Sequence, residues 1–468
     1  MSTPALQRRR DYDGPALFSY GFRPFFLAAG LWAIIAILVW IPQYMGKLSV
    51  PTHLSPLDWH IHEMLYGYVA AAIAGFLLTA IPNWTGRLPV NGWPLAGLAA
   101  LWLAGRLAIL ISAQLGGLLA AIIDTAFLVT LAMVAGREVV VGENWRNLRV
   151  LGILVVLVLG NIVFHAEVLM TGNADYGTRI AIGAVILMIS LIGGRIVPSF
   201  TNNWLTRNNP GRMPVPFSQF DLVALVISAF ALVTWIIAPA HWLSALLLIV
   251  AGCLQAVRLA RWAGDRTVAD RLVLILHIGY AFVPLGFIMI GLAAFVPEVP
   301  ATAGIHAWTA GAVGLMTAAV MTRATLGHTG QPLQAGRATQ AIYALLLAAA
   351  LVRIVAAFIA SVDLLDSRAF AGLRLSSCSC CFTARCWRCA VPVGTKRAAS
   401  SRRLNRTWLF LAGGFAPGED DDRGHDHEHC CDQRNAGRPA AQRPGDRAYR
   451  GPEAATEVKP GHVEADRG

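Results

Sequence analysis

Charge is what this sequence has least of. Asp, Glu, Lys and Arg make up 14% of its 468 residues, where a soluble domain carries about 25%. Hydrophobic residues make up 56%, and the mean hydropathy is +0.55. That balance excludes a soluble globular protein and requires most of the surface to face lipid. Alternating runs of the length that would build a transmembrane barrel are also lacking, because the apolar stretches are continuous. The basic excess, +11 with a pI near 9.6, lacks the stripe of arginines and interleaved aromatics that nucleic acid demands, so no nucleic-acid partner is expected. The start, Met1 to Phe18, has Arg8, Arg9 and Arg10 but no short apolar run with a small-residue cleavage site, so no cleavable signal is expected. Cysteine is nearly missing from the apolar part: Cys253 is its one example, which weighs against a compact zinc site there.

What is present is a series of apolar segments, at 25–45, 61–82, 93–112, 115–136, 149–170, 179–199, 219–238, 241–260, 272–295, 304–322 and 338–360. Each is about 20 residues long, the length that spans a bilayer as a helix. Gly, Pro, Asn and Arg fill the breaks. The fold class predicted is therefore all-α, a polytopic membrane helical bundle. Its expected organisation is a cytoplasmic N-terminal segment over 1–18, a transmembrane helical domain over 19–372, and a tail over 373–468.

Arginine placement orients the bundle. Arg8 to Arg10, Arg87, Arg146, Arg149, Arg207, Arg212, Arg258, Arg261, Arg266, Arg271 and Arg337 fall at alternate ends of the spans, opposite ends that hold little more than Lys47 and Arg179. The bias predicts a cytoplasmic N-terminus. Asp58, Glu63, Glu167, Asp175 and Glu298 then lie at the outer face, which in a bacterium is periplasmic. His60 and His62 at the start of the second helix, His165 near the end of the fifth and His306 at the start of the tenth share that outer level. Four imidazoles at one depth point to a metal or haem site. His53 and His241 fall in or beside outer loops, whereas His277 and His328 lie toward the inner side.

A weak internal repeat relates these positions. His62, Gly67 and Thr85-Gly86 share the spacing of His306, Gly311 and Thr329-Gly330, while Arg195 and Thr201 share that of Arg323 and Thr329. The second, sixth and tenth helices thus read as copies within three four-helix units. His62 and His306 are accordingly expected to face each other as the pair that binds a cofactor, haem, since two neutral imidazoles can fill both axial positions of its iron. His60 and His165 are expected to bind a second metal, copper, with Glu63 and Glu167 orienting imidazoles from behind. Arg106 and Asp124 fall at compatible depths in the third and fourth helices and are expected to pair.

Several stretches together resemble one family. They are Ser19-Tyr20-Gly21-Phe22-Arg23-Pro24-Phe25-Phe26, Trp59-His60-Ile61-His62-Glu63-Met64, and Ala74 to Gly86; then Gly193-Gly194-Arg195 with Pro198-Ser199-Phe200-Thr201, and Met321 to Gly330. These resemble the NnrS family. The resemblance implies a twelve-helix, haem- and copper-containing inner-membrane protein of bacteria that denitrify or meet nitric oxide, tied to relief of nitrosative stress. It leaves the reaction and the electron donor open. Partners expected on this reading are the lipid bilayer and nitric oxide or a related small molecule. A haem/copper protein acting on nitrogen oxides, a transporter using the histidines for substrate, and a sensor or assembly factor are the competing classes.

After about Arg374 the apolar pattern stops, seven cysteines crowd in, and no twelfth span follows. Cys378, Cys380, Cys381, Cys386 and Cys389, and the run His425 to Cys431, mimic metal motifs. A shifted reading frame, leaving a disordered tail, is the expected account. The orientation is directly testable: a reporter fused after Leu115 is expected to be periplasmic and one fused after Arg212 cytoplasmic, and the reverse pattern would invert the whole assignment of faces.

Overall fold

The computed structural model describes residues 12–359, and no strand occurs among them. Eleven helices in the described residues are long and apolar enough to cross a membrane: α1 Phe22–Tyr44, α2 Pro56–Thr85, α3 Gly92–Leu110, α4 Gly117–Val141, α5 Trp145–Thr171, α6 Asp175–Asn208, α7 Gln219–Ile237, α8 Trp242–Ala260, α9 Arg271–Leu292, α10 Ala301–His328 and α11 Arg337–Phe358. The all-α polytopic bundle is as expected. The expected twelfth span and the tail from 373, with its cysteine and histidine clusters, lie outside the described residues.

Helix ends depart from the apolar runs, for local reasons. α2 begins at Pro56, five positions before its apolar run, because Ser55 caps it: the Ser55 Oγ accepts from the Asp58 N–H (3.1 Å) and Pro56 opens the first turn. The helix ends at Gly86, which adopts φ +69° and closes the C-terminus. α6 continues to Asn208 through the polar stretch Thr201-Asn202-Asn203, since Thr201 is fully buried and returns its hydroxyl to the Val197 carbonyl (2.8 Å).

α2, α6, α9 and α10 are the most enclosed helices, and three of these four are the members of the sequence repeat. α2 reaches both of its repeat relatives. Tyr66 Oη donates to the Gly177 carbonyl of α6 (3.0 Å), and Tyr68 Oη meets Thr317 Oγ1 of α10 (2.5 Å). Both α2 and α10 contain a π-helical turn that begins directly after the repeat-matched histidine, over Glu63–Val69 after His62 and over Ala307–Val313 after His306. Such turns insert a residue into an α-helix and free backbone groups, and they concentrate at functional sites. In α2 the carbonyl of Gly67, which also takes the Ala70 N–H, accepts from Trp102 Nε1 of α3 (3.0 Å).

Three of the family-like motifs meet at one end of the bundle. A Cβ on Gly21 would lie 2.4 Å from Leu78, and one on Gly75 would strike the Phe26 ring, so the first and third motifs interlock. Tyr20 and Phe22 in turn pack on the His328 ring, at 5.2 and 5.7 Å between centroids. The Gly193-Gly194 pair also has a packing role: Gly194 leaves room for the Arg258 guanidinium, and Gly193 faces the Tyr280 ring. Arg258 of α8 then joins Asp221 of α7 (3.1 Å), the Ser190 carbonyl of α6 (2.8 Å) and Tyr280 Oη of α9 (3.1 Å).

Small residues allow helices without a strong mutual driving force in lipid to approach closely. At Gly177, where α6 crosses α5, a Cβ would lie 2.4 Å from the backbone of Phe164. Gly177→Ala is therefore expected to force the two helices apart and cost about 1–3 kcal/mol. Thermal unfolding of the purified protein in detergent measures it, and an unchanged midpoint would contradict this crossing.

Candidate metal centre

The site is built where α2, α4 and α5 meet. His62 of α2, Asp124 of α4 and His165 of α5 each offer a donor atom, all within 4.8 Å of one another, and all three residues are buried. Asp124 Oδ2 is the hub: His165 Nε2 lies 3.0 Å from it, His62 Nε2 3.2 Å, and Asn161 Nδ2 donates to it at 2.8 Å. Asn161 and His165 stand four residues apart, on one face of α5.

Behind His62 stands Glu63. Its Oε1 lies 3.0 Å from His62 Nδ1, and its Oε2 accepts from Trp32 Nε1 of α1 (2.6 Å). Arg106 of α3 donates to both Glu63 oxygens (2.8 Å each) and, through its other terminal nitrogen, to Asp124 Oδ1. The pairing expected for Arg106 and Asp124 is thus present, and Glu63 completes it as a second carboxylate. A carboxylate behind an imidazole fixes its ring and raises its donor strength toward a metal, which is the place Glu63 occupies.

Charge makes the arrangement incomplete in one respect. Glu63 and Asp124 are 0% and 2% exposed, and the one guanidinium between them is 2% exposed. Two carboxylates against one arginine leave one negative charge where charge is expensive. A single additional positive charge closes the account: a proton held by the histidines or a bound metal cation. His62 can hydrogen-bond to both carboxylates only while both of its ring nitrogens carry protons. Losing the Nε2 proton opens that nitrogen toward Asp124 and His165, so cation and proton compete for the same place.

The structure groups the four predicted histidines differently from the expectation. His62 stands beside His165 at Asp124. Its Nε2 is occupied by Asp124 with His165 alongside, and Tyr66, Phe164 and His165 rings lie 5.0–5.2 Å from its own. A porphyrin plane set across that nitrogen would have to displace Asp124 and His165, so the donor set suits a small ion. His60, two positions earlier, points away from this centre. It stacks on Trp40 of α1 (4.0 Å between centroids), and Arg353 of α11 and His306 lie within electrostatic range. Its Nδ1 is buried with no hydrogen-bond partner. Glu167 is likewise not behind His165: its oxygens accept from the backbone N–H groups of Tyr176 (3.0 Å) and Gly177 (2.7 Å), so it caps the start of α6. Arg195 of α6 donates to Asn147 Oδ1 (2.8 Å) in the first turn of α5.

A match to the NnrS family, described as NnrS protein, covers residues 16–391. The chain belongs to the NnrS family. Comparison with the curated proteins finds no match. Of the NnrS-like stretches, Trp59 to Met64 supplies His62 and Glu63, and the others supply packing around α2 and α6. Asp124, Arg106, Asn161 and Trp32 fall outside all of them. Arg106 and Asp124 could be read from their unusual charge in apolar runs. Asn161 had one available signal, its four-residue spacing from His165.

Arg106→Ala would leave two buried carboxylates without a counter-ion and is expected to destabilise the protein by about 3–5 kcal/mol. Arg106→Lys should recover part of the loss, because a single ammonium cannot fork to both carboxylates. Unfolding midpoints in detergent distinguish the pair, and equal stability of wild type and Arg106→Ala would show that the bridge does not hold these helices.

Proposed function

We propose that the chain is an inner-membrane metalloprotein of the nitric oxide response, binding or processing nitrogen oxides at the histidine-ligated centre on α2, α4 and α5. The observation that carries the reading is the His62–Asp124–His165 donor set, enclosed by apolar residues and short of one positive charge. Family membership supports the nitrogen-oxide side of the proposal, and the donor chemistry supports copper, for which imidazole is a suitable ligand. Copper would be held by His62, His165 and Asp124, with Glu63, Arg106 and Trp32 fixing the His62 ring and Asn161 fixing Asp124.

Haem is assigned to His60 and His306. These are the imidazoles on the opposite side of α2, and the unpartnered Nδ1 of His60 beside the Trp40 face supplies a donor awaiting an acceptor. When bound, the two groups would supply redox-active metal positions for a small diatomic ligand. The protein residues do the rest: Arg106 balances the carboxylates, Glu63 holds the His62 tautomer, and Tyr66 and Phe164 keep bulk water from the ring. The centre lies near the periplasmic side on the orientation proposed from arginine placement, with the N-terminus cytoplasmic.

Metal and haem analysis of the purified full-length protein, with absorption spectra before and after nitric oxide, tests the assignment. His62→Ala and His165→Ala are expected to reduce bound copper to background while retaining a Soret band. His60→Ala and His306→Ala are expected to remove or shift the Soret band while retaining copper. Wild-type copper content in both His62→Ala and His165→Ala, with intact protein levels, would defeat the copper assignment. A wild-type Soret band in both His60→Ala and His306→Ala would defeat the haem assignment.

A further inference from the structure

The two imidazoles of the centre are not supported alike. His62 has Glu63 at its Nδ1 (3.0 Å). His165 is 3% exposed and points its Nε2 at Asp124, yet its Nδ1 is buried without a hydrogen-bond partner. A histidine that ligates through Nε2 carries a proton on Nδ1, and that N–H ordinarily finds an acceptor, which sets the tautomer and the ring angle. Left unmade, such a bond costs the desolvation of a buried donor.

One residue nearby has the complementary defect. His53, in the loop before α2, has both ring nitrogens buried and neither hydrogen-bonded. It lies against α5 one turn beyond His165, because a Cβ on Gly117 would meet both the Leu169 side chain of α5 (2.5 Å) and His53 Nε2, and burial first, with His165 and His62 next, holds its imidazole below the ordinary histidine range. A neutral imidazole offers one acceptor and one donor nitrogen. The His53 ring rests over the start of α4, where a Cβ on Gly117 would lie 3.3 Å from its Nε2.

The position is fixed by the loop. Ser112, fully buried at the α3–α4 turn, holds it by two bonds: its Oγ accepts from the His53 backbone N–H (3.1 Å) and pairs with Thr52 Oγ1 (3.0 Å). The Ala113 N–H adds a bond to the Pro51 carbonyl (3.1 Å). A loop residue that served only to cover apolar surface would not require an imidazole there.

We propose that His53 is the positioning residue of His165, accepting from its Nδ1–H through one bridging water, and so doing for His165 what Glu63 does for His62. This rests on the copper centre proposed above. His53 is not itself among the three donors. Its effect passes through the orientation of His165, and loss of an outer partner of this kind typically weakens metal binding by 10- to 100-fold.

The test is copper(I) affinity of the full-length protein in detergent, measured by competition with a chromophoric chelator, together with the copper(II) electron paramagnetic resonance spectrum. His53→Ala is expected to retain copper but to bind it about 10- to 100-fold more weakly with altered hyperfine parameters. His53→Gln, which restores an acceptor, is expected to recover much of the affinity, whereas His53→Phe, which restores only bulk, is not. Ser112→Ala should weaken binding to a smaller degree by loosening the loop. Wild-type affinity and spectrum in His53→Ala, with copper lost from His62→Ala, would overturn the role of His53 and leave the centre standing. Recovery by His53→Phe as complete as by His53→Gln would reduce the residue to packing and overturn it too. Copper retained at wild-type affinity in His62→Ala and His165→Ala would remove the centre itself and the role of His53 with it.

Discussion

One guanidinium between two carboxylates holds the first part of this bundle together. Arg106 on α3 spans Glu63 on α2 and Asp124 on α4, and through these acids it fixes His62, His165, Asn161 and Trp32 on α1, α2 and α5. In lipid, helices gain little from hydrophobic burial against one another, so an ionic bridge that forks from both terminal nitrogens of one guanidinium to two carboxylates is a strong determinant of their register. It also explains the sequence around it. Gly67 must be a glycine because Trp32 Nε1 and Arg106 Nη1 come within 2.7 and 2.9 Å of where a Cβ would stand, and Gly105 admits Asp124 at 3.1 Å. The bridge therefore selects both its charges and the small residues that let them meet. A related ion pair recurs with its signs reversed between α7 and α8, where Asp221 meets Arg258, so each of the first two expected four-helix units carries a buried ion pair on its last two helices.

The bundle was legible because lipid imposes a length and a polarity that any twenty-residue window reveals. Helix ends were less so. Pro56 to His60 and Thr201 to Asn208 are helical but too polar to register as span, since hydropathy counts exposure to lipid and these residues are capped, buried in protein, or beyond the apolar layer. The four histidines were found by depth, and so was the Arg106–Asp124 pair. Which histidine meets which was not legible, because that depends on the angle of each side chain around its helix. Sequence repeat made His62 and His306 equivalents, but equivalence relates the surroundings of two residues and does not bring them together. Glu167 shows the same limit: a carboxylate two residues from His165 sits about 200° away around the helix, and the nearby start of α6 claims it.

The repeat has nonetheless left a structural trace. A π-helical turn starts immediately after His62 and again immediately after His306, with Gly67 and Gly311 inside the two turns. In each case the glycine receives an aromatic neighbour, Trp32 in one and Phe282 in the other. The inserted residue re-phases the helix just below the histidine, so the same helix can present its outer end to one set of partners and its middle to another.

This re-phasing gives α2 its double character. His62 and Tyr66, four positions apart, face the α4–α5–α6 side, where Tyr66 bonds to Gly177; His60 and Tyr68 face the other side, where Tyr68 bonds to Thr317 of α10. Residues two apart on a helix diverge by about 200°, so His60 and His62 are members of separate environments and not alternatives for one ligand. Any movement of α2 is felt on both flanks, because its tyrosines tie it to α6 and α10 while Glu63 ties it to Arg106. A rotation that relieved His62 on one side would strain the His60 stack on Trp40 on the other. Coupling between the two flanks of α2 therefore needs no long pathway: it passes through the rigid body of a single helix held on both faces by hydrogen bonds.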